Sequence, residues 1–173
     1  MDLESGGALE IIIQDTNFLY WLTAFASSPA PRVIKRYKGG AYEVALDLMR
    51  ASPPTLSELD ALAANLNSGK AAWETAAVTA APPDQRTTYY FRSDEAIKFL
   101  TAIVDLVYSG NMVVVRALIE RAWPLEAPGK EAFLKEFLEC QVRRSHYWPA
   151  IARLNNVPAA PPSKGCPSGP GSG

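Results

Sequence analysis

Apolar side chains recur along this chain at intervals of three and four, the spacing of helices that bury one face. In TNFLYWLTAF, Phe18, Leu22 and Phe25 fall on one helical face with Trp21 beside them, and Asp15 or Thr16 is placed to cap it. The stretch SSPAP, residues 27–31, ends that helix. RVIKRYKGGAYEVALDLMRAS reads as a second helical segment interrupted by Gly39 and Gly40, with Tyr42, Leu46 and Met49 forming one stripe. A third helix begins after Pro53 and Pro54, where Thr55 and Glu58 have the capping-box spacing that satisfies two free amides reciprocally. The alanine-rich stretch GKAAWETAAVTAAPP, residues 69–83, fits either helical turns or an ordered loop.

The second half is more regular. In SDEAIKFLTAIVDLVYSG, Ser93 is the expected cap, and Asp94 and Glu95 suit the positive helix start. Ile97, Leu100, Ile103, Leu106 and Val107 make the stripe to be buried. After the turn at Ser109, Gly110 and Asn111, the run from Met112 to Trp123 carries only Arg116, Glu120 and Arg121 as charges and stops at Pro124. A helix so apolar, flanked by amphipathic ones, is expected at the centre of a bundle. GKEAFLKEFLECQVRRSH is amphipathic through Phe133, Phe137 and Leu138, with Arg143 and Arg144 at its negative end. YWPAIARLNN makes a short last helix, and VPAAPPSKGCPSGPGSG has the composition of a disordered tail. With no convincing strand and no repeat, the pattern predicts an all-α fold, one helical domain over residues 1–156 and a tail over 157–173.

Composition narrows the function. The 173 residues, 48% hydrophobic, suffice for one domain with a real core. A net charge of −1 gives no general attraction to nucleic acid or anionic lipid. Cys140 and Cys166 form neither a disulfide framework nor a zinc pattern, so Cys140 is expected as a small core residue and the setting as reduced and intracellular. The N-terminus lacks the basic segment and apolar run of a secretory signal, and no stretch reaches the roughly 18 apolar residues of a membrane span. Catalytic groups are sparse. The single histidine, His146, stands beside Tyr147 and Trp148 as a packing residue, and Asp94 and Glu95 read as helix-start charges. Gly39 and Gly40 lack the lysine and serine of a phosphate loop. The chain is expected to bind rather than catalyse, with no metal and no cofactor.

One resemblance gives that binding a direction. DEAIKFLTAIVDLVYSGNMVVVRALIERAW resembles the first homology region of the Bcl-2 family of apoptosis regulators, with Leu106 to Gly110 leading through Asn111 into the apolar helix. HYWPAIARLNN is similar to the second homology region, with Trp148, Ile151, Ala152 and Leu154 in register. FLYWLTAF and GGAYEVALDLM have the character of the family's first and second helices, so the likeness spans about residues 15–156. Met112, Val113 and Val114 replace the family's Trp-Gly-Arg, and the arginine stands displaced as Arg116. Degenerate motifs of this kind resemble those of virus-encoded members, poxviral and parapoxviral ones above all.

The resemblance implies a Bcl-2-like helical bundle that blocks mitochondrial apoptosis of a host cell by holding the amphipathic BH3 helices of pro-apoptotic proteins in a surface groove. These partners are effectors of the Bax and Bak type or proteins carrying only the BH3 motif. The groove residues it implies are Tyr42, Leu46, Met49, Leu56, Leu59, Phe99, Ala102, Leu106, Tyr108, Asn111 and Arg116, with Leu62 beside them. Arg116 is the candidate partner for the ligand's aspartate. Its displacement by two residues turns it by about 200°, so Arg92 and Arg121 are substitutes. The implied place is inside the host cell: the outer mitochondrial membrane if an anchor follows in the natural chain, otherwise the cytoplasm. Two other readings stay open: a Bcl-2-fold poxviral inhibitor of innate immune signalling of the NF-kappaB type without BH3 binding, and a helical viral structural protein.

Overall fold

The hydrogen-bonding needs of the first third of the chain are met by a sheet, which overturns the all-α, Bcl-2-like bundle. The computed structural model describes residues 9–67, 94–123 and 129–166; the alanine-rich stretch at 69–83, Arg92 and Ser93 lie outside them. Strands β1 (Glu10–Gln14), β2 (Arg32–Lys38) and β3 (Ala41–Val44) form one antiparallel sheet in the order β1-β2-β3. Described helices number six, so the fold is mixed α/β: α1 (Leu46–Met49), α2 (Leu56–Asn67), α3 (Asp94–Tyr108), α4 (Met112–Ala122), α5 (Lys130–Lys135) and α6 (Trp148–Leu154).

Gly39 and Gly40 do not interrupt a helix; they turn a hairpin. Lys38 pairs with Ala41 across a two-residue loop in which Gly39 and Gly40 have φ of +59° and +91°. A turn with two positive φ values matches the twist of the flanking strands and favours glycine at both places. The β-branched and aromatic residues on either side favour strand. The expected stripe is therefore divided: Tyr42 lies in β3, while Leu46 and Met49 lie in the single helical turn α1.

TNFLYWLTAF is not a helix either. It makes two short 3-10 turns, Thr16–Phe18 and Phe25–Ser27, and Asp15 caps the first by accepting from the Asn17 N–H at 2.9 Å. Between the turns Tyr20 and Leu22 are left-handed, at φ of +59° and +62°, a conformation costing about 1–2 kcal/mol for each such residue. Trp21, held between them, offsets that cost. Its indole stacks on Phe133 and Phe137 at 6.0 and 5.7 Å and donates from Nε1 to Glu136 Oε1 at 2.9 Å.

The helical half follows its pattern more closely. At the start of α2 the capping box forms, the Thr55 N–H donating to Glu58 Oε2 at 2.7 Å and the Glu58 N–H to Thr55 Oγ1 at 3.2 Å. From α3, Phe99, Leu100, Ile103, Val104 and Val107 enter the core. Helix α4 is not central: Val115, Leu118, Ile119 and Ala122 are buried, but Val113 is 84% exposed and Arg116, Glu120 and Arg121 face water. Asn111 stands at its cap position without capping. Asn155, the residue that ends α6, does that work, its Oδ1 accepting from the Met112 N–H at 2.7 Å. Helix α5 widens into a π-helical stretch, Glu136–Gln141, which brings Phe137, Cys140 and Gln141 inward together. No helix among the described residues is long and apolar enough to cross a membrane.

Residues 157–166, from the segment expected to be a disordered tail, run back along this helix. Trp148 Nε1 donates to the Ala160 carbonyl at 2.7 Å, and Ser163 donates from its backbone N to the Glu139 carbonyl at 3.1 Å. That path brings Cys166 to Cys140, and the two are joined in a disulfide with a Cα separation of 5.6 Å, inside the range a bridge requires. Cys140 is thus no free core thiol, and the expectation that the cysteines stay unbridged is corrected.

Candidate functional site

The eleven residues expected to line a helical groove divide by depth. Met49, Leu59, Phe99, Tyr108 and Asn111 are buried in the protein's own interior. Leu46, Ala102 and Leu106 are half-buried, and Tyr42, Leu56 and Arg116 are exposed. Arg116 pairs with Glu131 at 3.5 Å on the surface, and Arg121 with Asp60 at 2.7 Å. Asn111 spends its amide on the Ala51 carbonyl at 3.2 Å, holding the chain before α2 against the start of α4.

Tyr108 belongs to a buried polar cluster. Its hydroxyl donates to Asp15 Oδ2 at 2.5 Å, and Ser145 Oγ donates to the same oxygen. Beside it Asn17 Nδ2 donates to the Gln141 carbonyl and Gln141 Nε2 to the Asn17 carbonyl, each at 2.6 Å. Burial first, then the Asp15 charge, push the Tyr108 phenol well above the usual tyrosine range. A carboxylate and a serine lie together here, but the exposed His146 packs edge-on against Tyr147 and supplies no base between them. The cluster ties the end of β1 to α3 and to the segment after α5. Among the described residues, no group of three or more histidine, cysteine or acidic side chains is arranged to hold a metal ion.

Several of the exposed apolar side chains lie together on the sheet. Residues opposite one another in an antiparallel ladder share a face, so the register sorts the side chains into rows. One face carries Ile13 and Val33, then Ile11, Lys35 and Val44, then Tyr37 and Tyr42 with Leu9, whose carbonyl accepts from the Tyr37 N–H. Val33 is fully buried and Ile13 and Val44 pack on the core, which fixes one end of this face to the helices. The other end overhangs: Leu9 is 63% exposed, Tyr37 50%, Tyr42 38% and Ile11 38%. Tyr37 and Tyr42 meet edge to face at 5.3 Å. In the middle stands Lys35, half-buried among these rows, with no carboxylate at ion-pair distance among the described residues.

The opposite face is mixed: Gln14 and Arg32, then the apolar pair of Ile12, 41% exposed, and Ile34, which packs on the core, and then a charged row. Glu10, Arg36 and Glu43 make one row, and Arg36 bonds Glu10 at 3.1 Å and Asp47 of α1 at 3.0 Å. Burial pushes the Asp47 carboxyl up, but the Arg36 hydrogen bond and charge, with backbone N–H donors, together hold it below the usual aspartate value. Leu9, Ile11, Lys35 and Tyr37 were outside the expected site; the signal that could have found them is alternation about the Gly-Gly pair. Comparison with protein families, curated proteins and solved structures finds nothing that matches this chain.

Proposed function

We propose that the protein acts by binding, not catalysis, and captures an amphipathic helix of a partner protein on the apolar face of its sheet. The observation that carries this reading is the overhanging row of Leu9, Tyr37 and Tyr42 beside Ile11, with Lys35 set among them. A sheet normally buries its apolar face under helices, and this one leaves part of that face open. Three strands spaced about 4.8 Å apart offer a strip about 10 Å wide, which suits a helix about 10–12 Å across. The ligand chemistry that fits is an aliphatic stripe with one carboxylate, the carboxylate meeting Lys35 within an apolar surround. A BH3 helix of a pro-apoptotic protein has that chemistry, and the resemblance in α3, α4 and α6 favours it. The role that follows is restraint of apoptosis inside a host cell, by a surface other than a groove between helices.

Titration of the full chain with labelled BH3 peptides, followed by anisotropy, tests this. Saturable binding is expected, weakened about tenfold or more, roughly 1.4 kcal/mol, by Tyr37→Glu and by Lys35→Glu. Both residues lie on the overhanging part of the sheet, and circular dichroism checks that the variants stay folded. Binding that survives Tyr37→Glu but is lost in Leu106→Glu would move the site to the helices and overturn the sheet surface. Absence of binding to every peptide would overturn the ligand class.

A further inference from the structure

We propose that the Cys140–Cys166 pair is a thiol–disulfide exchange site for small anionic thiols of the glutathione class, and that exchange there releases the C-terminal strap. The bond closes a span of 26 residues and is the last of a series of contacts. Ala160 accepts from Trp148, Pro161 from Arg143, and Ser163 bonds Glu139 through both its backbone and its hydroxyl, the latter at 2.8 Å. The two sulfurs differ in access. Cys140 is 4% exposed, whereas Cys166 is half-buried at the edge of the strap.

A cavity of about 180 Å³ lies against the bond, and Lys135, Lys164 and Glu136 share its wall with the two cysteines. Glu136 already accepts from Trp21, and among the described residues neither lysine has a carboxylate at ion-pair distance. The wall carries two lysines against the one carboxylate of Glu136, with Glu139 held outside it by the Ser163 hydroxyl. An anionic thiol is drawn to it, and its thiolate is the attacking form.

The chemistry balances without a further reactant. An incoming thiolate attacks the Cys166 sulfur, the bond to Cys140 breaks, and Cys140 leaves as a thiolate that takes up a proton. A second thiol attacks the mixed disulfide on Cys166, giving the Cys166 thiol and the oxidised small disulfide. Two electrons pass from two small thiols to the protein, and the reverse sequence closes the bond again. The balance between latched and released strap follows the thiol–disulfide poise of the compartment.

The test uses the full-length chain, oxidised with glutathione disulfide and mapped by mass after alkylation. A linked Cys140–Cys166 peptide is expected, and free alkylated cysteines would overturn the proposal. Opening is then timed with glutathione and with neutral 2-mercaptoethanol at low salt. The paired substitution Lys135→Glu with Lys164→Glu should lower the glutathione rate about tenfold while leaving the mercaptoethanol rate near its original value. Trapped mixed disulfide should map to Cys166, and reduction should admit trypsin at Lys164. An equal slowing of both thiols, or a mixed disulfide on Cys140, would refute an anion-guided exchange site. Cys166→Ser, which keeps the rest of the strap, should show tryptic cleavage at Lys164 without any reductant; protection in that variant would refute release by exchange.

Discussion

Replacing Asp15 with alanine tests what holds the sheet to the helices. Asp15 follows β1 and is buried, as are Tyr108 and Ser145, whose hydroxyls both donate to its Oδ2; its Oδ1 accepts from the Asn17 N–H. Alanine strands two buried hydroxyls, each costing about 1–3 kcal/mol when left without a partner. Loss of the carboxylate also removes its own desolvation cost, which offsets part of this. A net destabilisation of about 2–4 kcal/mol follows. Tyr108→Phe removes one donor and should cost about 1.5–3 kcal/mol, the range for hydrogen bonds to charged groups. Because the two residues share one bond, the double variant should fall short of the sum by about 1–3 kcal/mol. Urea unfolding of the four proteins, with equal slopes, measures this. A coupling under about 0.5 kcal/mol would show that Asp15 and Tyr108 stabilise the fold independently and that the tie between sheet and helices lies elsewhere.

The same phenol makes an alkaline prediction. Its folded pKa is raised, so its contribution is complete below the ordinary tyrosine value of 10.0 and is lost as pH climbs above it; Tyr108→Phe should flatten that decline in unfolding measured against pH. Leu118→Asp should unfold or severely destabilise the domain, since an unpaired carboxylate at this fully buried position costs several kcal/mol; an equally stable variant by thermal melting would remove α4 from the core. Gly110→Ala should lower stability by about 1–2 kcal/mol or more, because φ is +83° and a Cβ would stand 3.1 Å from the Leu154 carbonyl oxygen; an unchanged melting temperature would contradict this. Thr55→Ala should cost about 1 kcal/mol in urea unfolding through loss of the capping box, and no change would show that the box is not used in solution.

Two periodicities compete between residues 32 and 49, and the structure shows which one governs. Tyr42, Leu46 and Met49 have helical spacing, yet Tyr42 is fixed by its cross-strand neighbour Tyr37 and not by Leu46. The deciding residues are Gly39 and Gly40, since two positive φ values in a row close a hairpin and cannot continue a helix. The three isoleucines of β1 carry the same β-branched signal. By contrast α2 and α3 were legible because local signals agree there, a capping box, acidic residues at a helix start and a stripe with one period, whereas for α4 the span was legible and the central place was not. The disulfide was not legible. Its partners meet only because the strap returns along α5 and its π-helical extension, a path set by Trp148, Glu139 and Ser163 at long range.

The candidate site was the least legible part, for a reason that concerns core packing. An apolar helical stripe has the same sequence whether it lines a groove or fills an interior. Phe99, Leu59 and Met49 satisfy the pattern by packing inward, and Tyr108 satisfies it by reaching Asp15 on the chain that leads out of β1. A groove between helices needs a long second helix to form one wall, and here that length of chain is spent on β2, β3 and the single turn of α1. The apolar side chains displaced from that wall reappear on the sheet, where Tyr42 joins Leu9, Ile11 and Tyr37. Basic character moves with them, because Lys35 occupies the middle of that face while Arg116 is already engaged by Glu131. A ligand that requires both an apolar strip and a cation therefore finds the two together on the sheet.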